Sequence, residues 1–249
     1  MVVDYVPHGD GVGIIRLNRP ERLNAVTPAL VDDLLESFDR AEADHARVLV
    51  LAGRGRAFCA GWDLKQPPID ETVDQARARL QRLQEVTRRT RAFAGPVIAA
   101  VQGYALGAGV EFALGCDLVV AGEDAVFGFP EVEVGLSGTN GVSVLLPRLV
   151  GLARAKELVL LGERCDARRA RDIGLIARVV PAGAHEDAAL EIAERLATRP
   201  PLALRLAKQL LDEGLETALE EALDGEVEAA LATLDSGENA AATTRFRER

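Results

Sequence analysis

Two short apolar runs constrain the fold of this chain more than any other feature. They read VLVLAG at residues 48–53 and PVIAAVQG at residues 96–103, and neither contains a charged side chain. Runs of this length that are rich in β-branched residues and end in glycine are typical of buried strands. The segment between them, from Asp74 to Phe93, is long and polar and predicts a helix. Strand and helix in alternation favour an α/β core.

The segments on either side of these runs extend the α/β pattern. An alternating run at residues 11–17 predicts a strand, and Thr27 followed by Pro28 predicts the start of a helix. Two further strands are expected at DLVVAG (117–122) and IARVVP (176–181).

Helical spacing dominates from Val142 onward, and residues 185–249 are expected to be almost wholly helical and amphipathic. We therefore predict an α/β core over residues 1–190 and a helical C-terminal region over residues 191–249.

Charge and composition exclude several classes of protein. The 249 residues carry a formal net charge of −10, which argues against nucleic acid or an anionic membrane as the main partner. We expect a cytoplasmic protein, because the chain opens without a signal peptide and contains no apolar run of membrane-spanning length. The three cysteines form no C-x-x-C pair, so neither a disulfide framework nor a metal site is expected.

Each of the two predicted buried strands leads into a loop of small residues. The loops are GRGRAFCAGWDLK at residues 53–65 and VQGYALGAGVEFAL at residues 101–114. Neither matches the dinucleotide or phosphate-loop motif. Small residues let main-chain N–H groups approach a ligand closely, so the two loops could each donate one N–H to a single oxygen, as in an oxyanion hole.

A glutamate follows the second of these loops in apolar surroundings. Glu111 lies between Val110 and Phe112, and a carboxylate buried there is costly unless it has a function. Most glutamates on helices are solvated, and the apolar neighbours are the reason to expect that this one points inward.

Five segments, in their order and spacing, resemble the crotonase (enoyl-CoA hydratase/isomerase) superfamily over nearly the whole chain. The resemblance implies a spiral of ββα units, a C-terminal helical trimerisation region in a homotrimer or homohexamer, and an acyl-coenzyme A thioester as substrate, with no separate cofactor. The segments are NRPERLNAVT, GRGRAFCAGWDLK, PVIAAVQGYALGAGVEFALGCDLVVA, FGFPEVEVGL and LLGERCDARRARDIGLIARVV.

The resemblance also assigns roles to individual residues. The main-chain N–H groups of Trp62 and Ala108 would bind the thioester oxygen. Glu111 would hold the attacking water, and Glu131, twenty positions later, would deliver the α-proton. Glu133 competes for the second role, because in an extended segment it would point the same way as Glu131. Coenzyme A contacts are expected from two loops, at Arg22, Leu23, Ala60, Gly61, Asp63, Leu64 and Lys65.

Three features depart from the usual family pattern and leave the acyl specificity open. The single tryptophan, Trp62, stands where small residues are common, and its indole could shape the acyl pocket. The segment at residues 66–74 is expected to form a pocket wall. In GLSGTNGVS, Thr139 and Asn140 could contact the acyl group or cap the next helix, and capping is the preferred interpretation.

The favoured function is hydration of a 2-trans-enoyl-CoA, because hydration uses both Glu111 and Glu131. A double-bond isomerase, which can work with one glutamate, is the nearest alternative. A thioesterase-like hydrolase is weaker, because the three histidines fall outside both loops. A non-catalytic CoA-binding oligomer would be expected to lack one or both glutamates.

Overall fold

A twisted six-stranded sheet forms the centre of the molecule in the computed structural model, which describes residues 1–66, 70–239 and 242–243. Its strands lie in the order β1-β2-β3-β4-β6-β9, where β1 and β2 form an antiparallel pair and all the other neighbours are parallel. The strands are β1 (Val3–His8), β2 (Val12–Leu17), β3 (Val48–Gly53), β4 (Val97–Val101), β6 (Leu118–Gly122) and β9 (Arg178–Val180).

A second sheet of three short strands carries the loop regions that matter for function. Its order is β5-β7-β8, with β5 and β7 parallel and β7 and β8 antiparallel. The strands are β5 (Tyr104–Leu106), β7 (Val126–Gly128) and β8 (Cys165–Asp166). Two 3₁₀ turns, at Pro20–Arg22 and Pro130–Val134, follow β2 and β7 along the chain.

Nine α-helices complete the part of the chain that the structure describes. They are α1 (Pro28–Ala43), α2 (Val73–Ala92), α3 (Ala108–Gly115), α4 (Val142–Val150), α5 (Leu152–Leu161), α6 (Ala167–Asp172), α7 (His185–Ala197), α8 (Pro201–Glu213) and α9 (Leu219–Asp235). The predicted α/β class with a helical C-terminal region is confirmed.

The core lies on both faces of the main sheet. Helices α1, α2 and α3 pack together on one side, where most of the large buried side chains gather. Helix α7 covers the other face, against β3 and β4, and buries Ala189, Ile192, Ala193 and Ala197 there. The predicted boundary between residues 190 and 191 therefore falls inside a helix that packs on the sheet.

The C-terminal helices expose several apolar side chains. The predicted helix over residues 185–249 is present as α7, α8 and α9, and residues 240–241 and 244–249 lie outside the described residues. None of the helices in the described ranges combines the length and apolar character that crossing a membrane requires.

Candidate active site

The two small-residue loops lie side by side. Cys59 and Ala105 form a parallel bridge, in which the Cys59 N–H donates to the Tyr104 carbonyl (2.9 Å) and the Leu106 N–H donates to the Cys59 carbonyl (3.0 Å). Trp62 and Ala108 each lie three residues beyond this bridge, and both line the same cavity.

Two glycines allow the loops to approach this closely. Gly61 (φ +86°) and Gly107 (φ +53°) both have backbone conformations that disfavour a side chain. A Cβ added to Gly61 would lie 2.8 Å from the Leu106 carbonyl oxygen, and one added to Gly107 would lie 3.7 Å from the Gly61 Cα. The next residues, Trp62 and Ala108, therefore carry their main-chain N–H groups in the same small region of the fold.

These two N–H groups are not used within the described parts of the fold. In the bridge between Val26 and Trp62, the Val26 N–H donates to Gly61 and the Asp63 N–H donates to Val26, which leaves the Trp62 N–H on the other side. Ala108 is the first residue of α3, so its N–H precedes the first hydrogen bond of the helix. Two preorganised donors beside a helix N-terminus can stabilise a developing oxyanion.

Glu111 lies in the first turn of α3 and is 1% exposed, as the apolar sequence around it predicts. Its Oε1 accepts from the Thr139 main-chain N–H (2.7 Å), and its Oε2 accepts from the Thr139 hydroxyl (2.7 Å) and the Asn140 amide (3.0 Å). The expectation that Thr139 and Asn140 cap the following helix is wrong. The N-cap of α4 is Gly141, and both side chains turn to the buried carboxylate, which would otherwise lack donors.

Glu131 stands on the 3₁₀ turn over Pro130–Val134 and is half-buried. Its Oε1 lies 2.9 Å from the point where a Cβ on Gly107 would be, which sets the carboxylate beside the N-terminus of α3. Burial raises the pKa of the Glu131 carboxyl, the charge of Glu111 adds to the rise, and a hydrogen bond from its own main-chain N–H opposes it. The raised pKa favours the neutral form of Glu131, which is the form that a general acid needs.

Glu133 does not share this position. The segment is a 3₁₀ turn and not an extended strand, so residues two apart face different directions and the expected shared orientation is wrong. Its Oε1 lies 2.7 Å from the place of a Cβ on Gly162, at the end of α5. Glu133 is exposed and points away from the site.

One cavity of about 300 Å³ joins the four residues predicted to be catalytic, Trp62, Ala108, Glu111 and Glu131. The rest of its lining is largely apolar and comes from three parts of the chain: Leu64, Leu80, Leu83, Val134 and Leu136. A larger cavity of about 520 Å³ lies beside Lys208 of α8, but none of the four residues lines it. The small cavity is therefore the candidate active site.

A cation–π contact fixes the wall formed by Trp62. The guanidinium carbon of Arg79 lies 4.9 Å from the centroid of the indole ring, within the range of such contacts. Glu71 holds this guanidinium through its Nη2 (2.6 Å) and Nε (3.1 Å). Residues 67–69 of the predicted pocket wall lie outside the described residues, whereas Glu71 supports the wall indirectly.

The two loops expected to contact coenzyme A lie next to each other, since the Ala60 N–H donates to the Leu23 carbonyl (3.0 Å). Asp63 is buried and joins them through Arg22 (2.7 Å) and Arg19 (3.1 Å). Burial acts to raise the pKa of Asp63, but these hydrogen bonds lower it below its ordinary value. Its carboxylate is thus a link between the loops, and the coenzyme A contacts of all seven residues remain predictions.

Sequence reasoning missed the cavity wall on α2, formed by Arg79, Leu80 and Leu83, and the partners of Glu111. The TNG sequence after a glycine-rich turn was a usable signal for the latter, because it departs from the family pattern.

Comparisons with known proteins agree with this geometry. The family model described as enoyl-CoA hydratase/isomerase matches residues 8–249. A 2,3-dehydroadipyl-CoA hydratase of Escherichia coli (strain K12) is 40% identical over 218 residues, which are 84% of this chain and 82% of the relative. A 1,2-epoxyphenylacetyl-CoA isomerase of the same strain is 39% identical over 218 residues, 86% of this chain and 83% of the relative. The crystal structure of an enoyl-CoA hydratase from Bacillus anthracis superposes with a TM-score of 0.94 at 34% identity and covers 100% of this chain and 96% of that one.

Proposed function

The chain belongs to the enoyl-CoA hydratase/isomerase family, and we propose that it adds water across the double bond of a 2-trans-enoyl-CoA. The family assignment and the fold match confirm the predicted crotonase resemblance. The observation that carries the proposal is that Glu111 and Glu131 line one cavity together with Trp62 and Ala108, whose main-chain N–H groups have no partner among the described residues. Coenzyme A enters as part of the substrate, and no separate cofactor is needed.

In the proposed reaction, the thioester oxygen accepts hydrogen bonds from the Trp62 and Ala108 N–H groups. Glu111 takes a proton from water as the water oxygen bonds to the β-carbon, and the electrons of the double bond move toward the thioester oxygen. Glu131 then delivers its proton to the α-carbon, and transfer of the proton from Glu111 back to Glu131 restores the starting state. Each oxyanion donor lowers such a barrier by about 3 kcal/mol.

The raised pKa of Glu131 supports its role as the proton donor, because burial favours the neutral acid that must deliver the proton. The surroundings of Glu111 support the complementary role of base, because its carboxylate is the acceptor in all three of its hydrogen bonds. The two glutamates thus have unequal environments, as an acid and base pair requires.

Double-bond isomerisation is the second candidate. Three of the roughly four acceptor positions of the Glu111 carboxylate are already occupied, which restricts the room for a water. A relative named as an isomerase is also 39% identical to the chain. The cavity gives no support to a thioesterase mechanism, because no histidine or cysteine is among the described residues that line it.

Crotonyl-CoA tests the proposal directly, because its hydration removes the absorbance of the conjugated thioester. We expect turnover by the wild type and its loss in Glu111→Gln and Glu131→Gln. Binding of crotonyl-CoA without any loss of absorbance would overturn the hydratase proposal. A 3-enoyl-CoA that gains conjugation under the same conditions would then identify an isomerase.

The exposed apolar side chains of α8 and α9 support a homotrimer or a pair of trimers. Leu219, Leu223, Val227 and Leu231 recur every four residues along α9 and are all exposed in the single chain. An apolar stripe of this kind is typical of an interface. Light scattering of the purified protein should give three or six times the chain mass, and a monomer would overturn this part of the proposal. The cytoplasmic location remains a prediction.

A further inference from the structure

The carboxylate of Glu111 is held at both oxygens by two consecutive residues. Thr139 contributes its main-chain N–H to Oε1 and its hydroxyl to Oε2, and Asn140 contributes its side-chain amide to Oε2. All three partners follow the turn that carries Glu131 and come from a segment 28 residues away in sequence. The orientation of Glu111 therefore depends on this segment.

The backbone of the segment is shaped for these contacts. Asn140 is 1% exposed and has φ +48°, a left-handed conformation that few side chains other than asparagine tolerate. A Cβ on Gly138 would lie 2.4 Å from a methyl carbon of Val142 and 3.3 Å from Oε1 of Glu111. A glycine at 138 and an asparagine at 140 thus let the turn approach the carboxylate.

A third side chain fixes the amide of Asn140. The carboxylate oxygen of Glu111 accepts from Nδ2, so the amide oxygen of Asn140 faces the other way, toward α2. There it accepts from the hydroxyl of Thr87 (3.3 Å), which is 8% exposed. A reversed amide would set its oxygen against the carboxylate oxygen, which is unfavourable.

We propose that Thr139 and Asn140 are positioning residues for Glu111 and that Thr87 sets the amide of Asn140 from α2. This inference rests on the proposed hydration. With two hydrogen bonds at Oε2 and one at Oε1, the remaining acceptor position of the carboxylate is on Oε1. The attacking water therefore binds at Oε1, and its place over the double bond is set by these three side chains.

Helix α2 offers a matched pair of variants for the test. Thr90 lies three residues from Thr87, is 1% exposed, and donates its hydroxyl to Val86 of its own helix (2.8 Å). Thr87→Val and Thr90→Val therefore make the same chemical change at two buried positions, but only the first removes a contact with Asn140.

We expect Thr87→Val to lower kcat for crotonyl-CoA hydration about tenfold with KM within threefold, because small displacements of a catalytic group reduce rates strongly. Thr90→Val should keep the wild-type kcat. Thr139→Val and Asn140→Gly, the second of which keeps the positive φ, should lower kcat about 10- to 100-fold. Thr139→Ser, which restores the hydroxyl, should recover kcat to within about threefold of the wild type.

The outcomes separate this inference from the proposed function. A wild type that does not hydrate crotonyl-CoA overturns the proposed function and the inference with it. A hydrating wild type with equal kcat in Thr87→Val and Thr90→Val overturns the role of Thr87. If Thr139→Val and Asn140→Gly raise KM at unchanged kcat, or if Thr139→Ser recovers nothing, positioning of Glu111 is overturned.

Discussion

Glutamine at position 111 and glutamine at position 131 should both reduce hydration strongly, but only the change at position 111 should destabilise the fold. The Glu111 carboxylate accepts three hydrogen bonds, at least one on each oxygen. A glutamine has one oxygen and one NH₂ group, so whichever way its amide turns, an N–H of Thr139 or Asn140 faces another N–H. The carboxylate of Glu131 accepts from its own main-chain N–H and has no partner side chain among the described residues.

The size of the effect at position 111 follows from the donor left unpaired. A buried donor without a partner costs about 1–3 kcal/mol. For a chain of this size, each kcal/mol lowers Tm by about 2–4 °C, so Glu111→Gln should lower Tm by about 2–12 °C. Glu131→Gln replaces a charge that burial disfavours with a neutral group, so its Tm should equal or exceed that of the wild type.

Thermal unfolding followed by circular dichroism, in one buffer near neutral pH, measures the difference. Hydration of crotonyl-CoA should fall about 10²- to 10⁴-fold in both variants, as expected for the loss of an acid or a base. A Tm for Glu111→Gln at or above the wild-type value, or shifts of the same sign in both variants, would refute the reasoning from hydrogen bonds.

Three further results follow from other parts of the structure. The pKa of Glu131 is raised, so the folded chain keeps a proton that the unfolded chain releases. Ionised Glu131 therefore destabilises the fold above the ordinary pKa of 4.5. In urea, the gain in unfolding free energy from Glu131→Gln should appear as the pH rises above 4.5 and vanish below it. Gly107→Ala should lower kcat about 100-fold, because its Cβ would push on Oε1 of Glu131 at 2.9 Å, whereas Gly183→Ala, at φ +85° in open space, should leave kcat unchanged. Lys208→Met removes the partner of Asp117 (2.9 Å) and the hydrogen bonds from the Lys208 ammonium to the Thr90 and Gly95 carbonyls. It should lower the unfolding free energy by about 1–3 kcal/mol in urea, and an unchanged value would show these contacts to be unimportant.

The elements that sequence alone predicted well are those whose signals are local. Strand β3 matches the run VLVLAG residue for residue, because a strand buried on both faces has no polar positions to obscure it. Helix α1 starts at Pro28 as predicted, and the Thr27 hydroxyl accepts from the Leu30 N–H (3.2 Å). In both cases the residues that determine the structure are neighbours along the chain.

The site was predictable only as far as a family pattern reaches. Glu111 and Glu131 were named from that pattern, but the partners of Glu111 were assigned to a helix cap. A Thr-Asn-Gly sequence before a helix has a local interpretation as a cap, and only the fold shows that a buried carboxylate uses the same two side chains as donors. The 3₁₀ turn at Pro130–Val134 escaped prediction for a similar reason, because its alternation of acidic and apolar residues is typical of an extended segment.

The two glutamates owe their different roles to their surroundings and not to their residue type. Three donors surround Glu111, whereas Glu131 rests against a glycine in a largely apolar cavity. An exchange of roles would therefore need donors to move from Thr139 and Asn140 to the turn at Pro130–Val134. That turn begins with proline, which has no main-chain N–H, and its next side chains are apolar or acidic. The direction of proton flow in the proposed reaction is thus built into which of the two segments carries the hydrogen-bond donors.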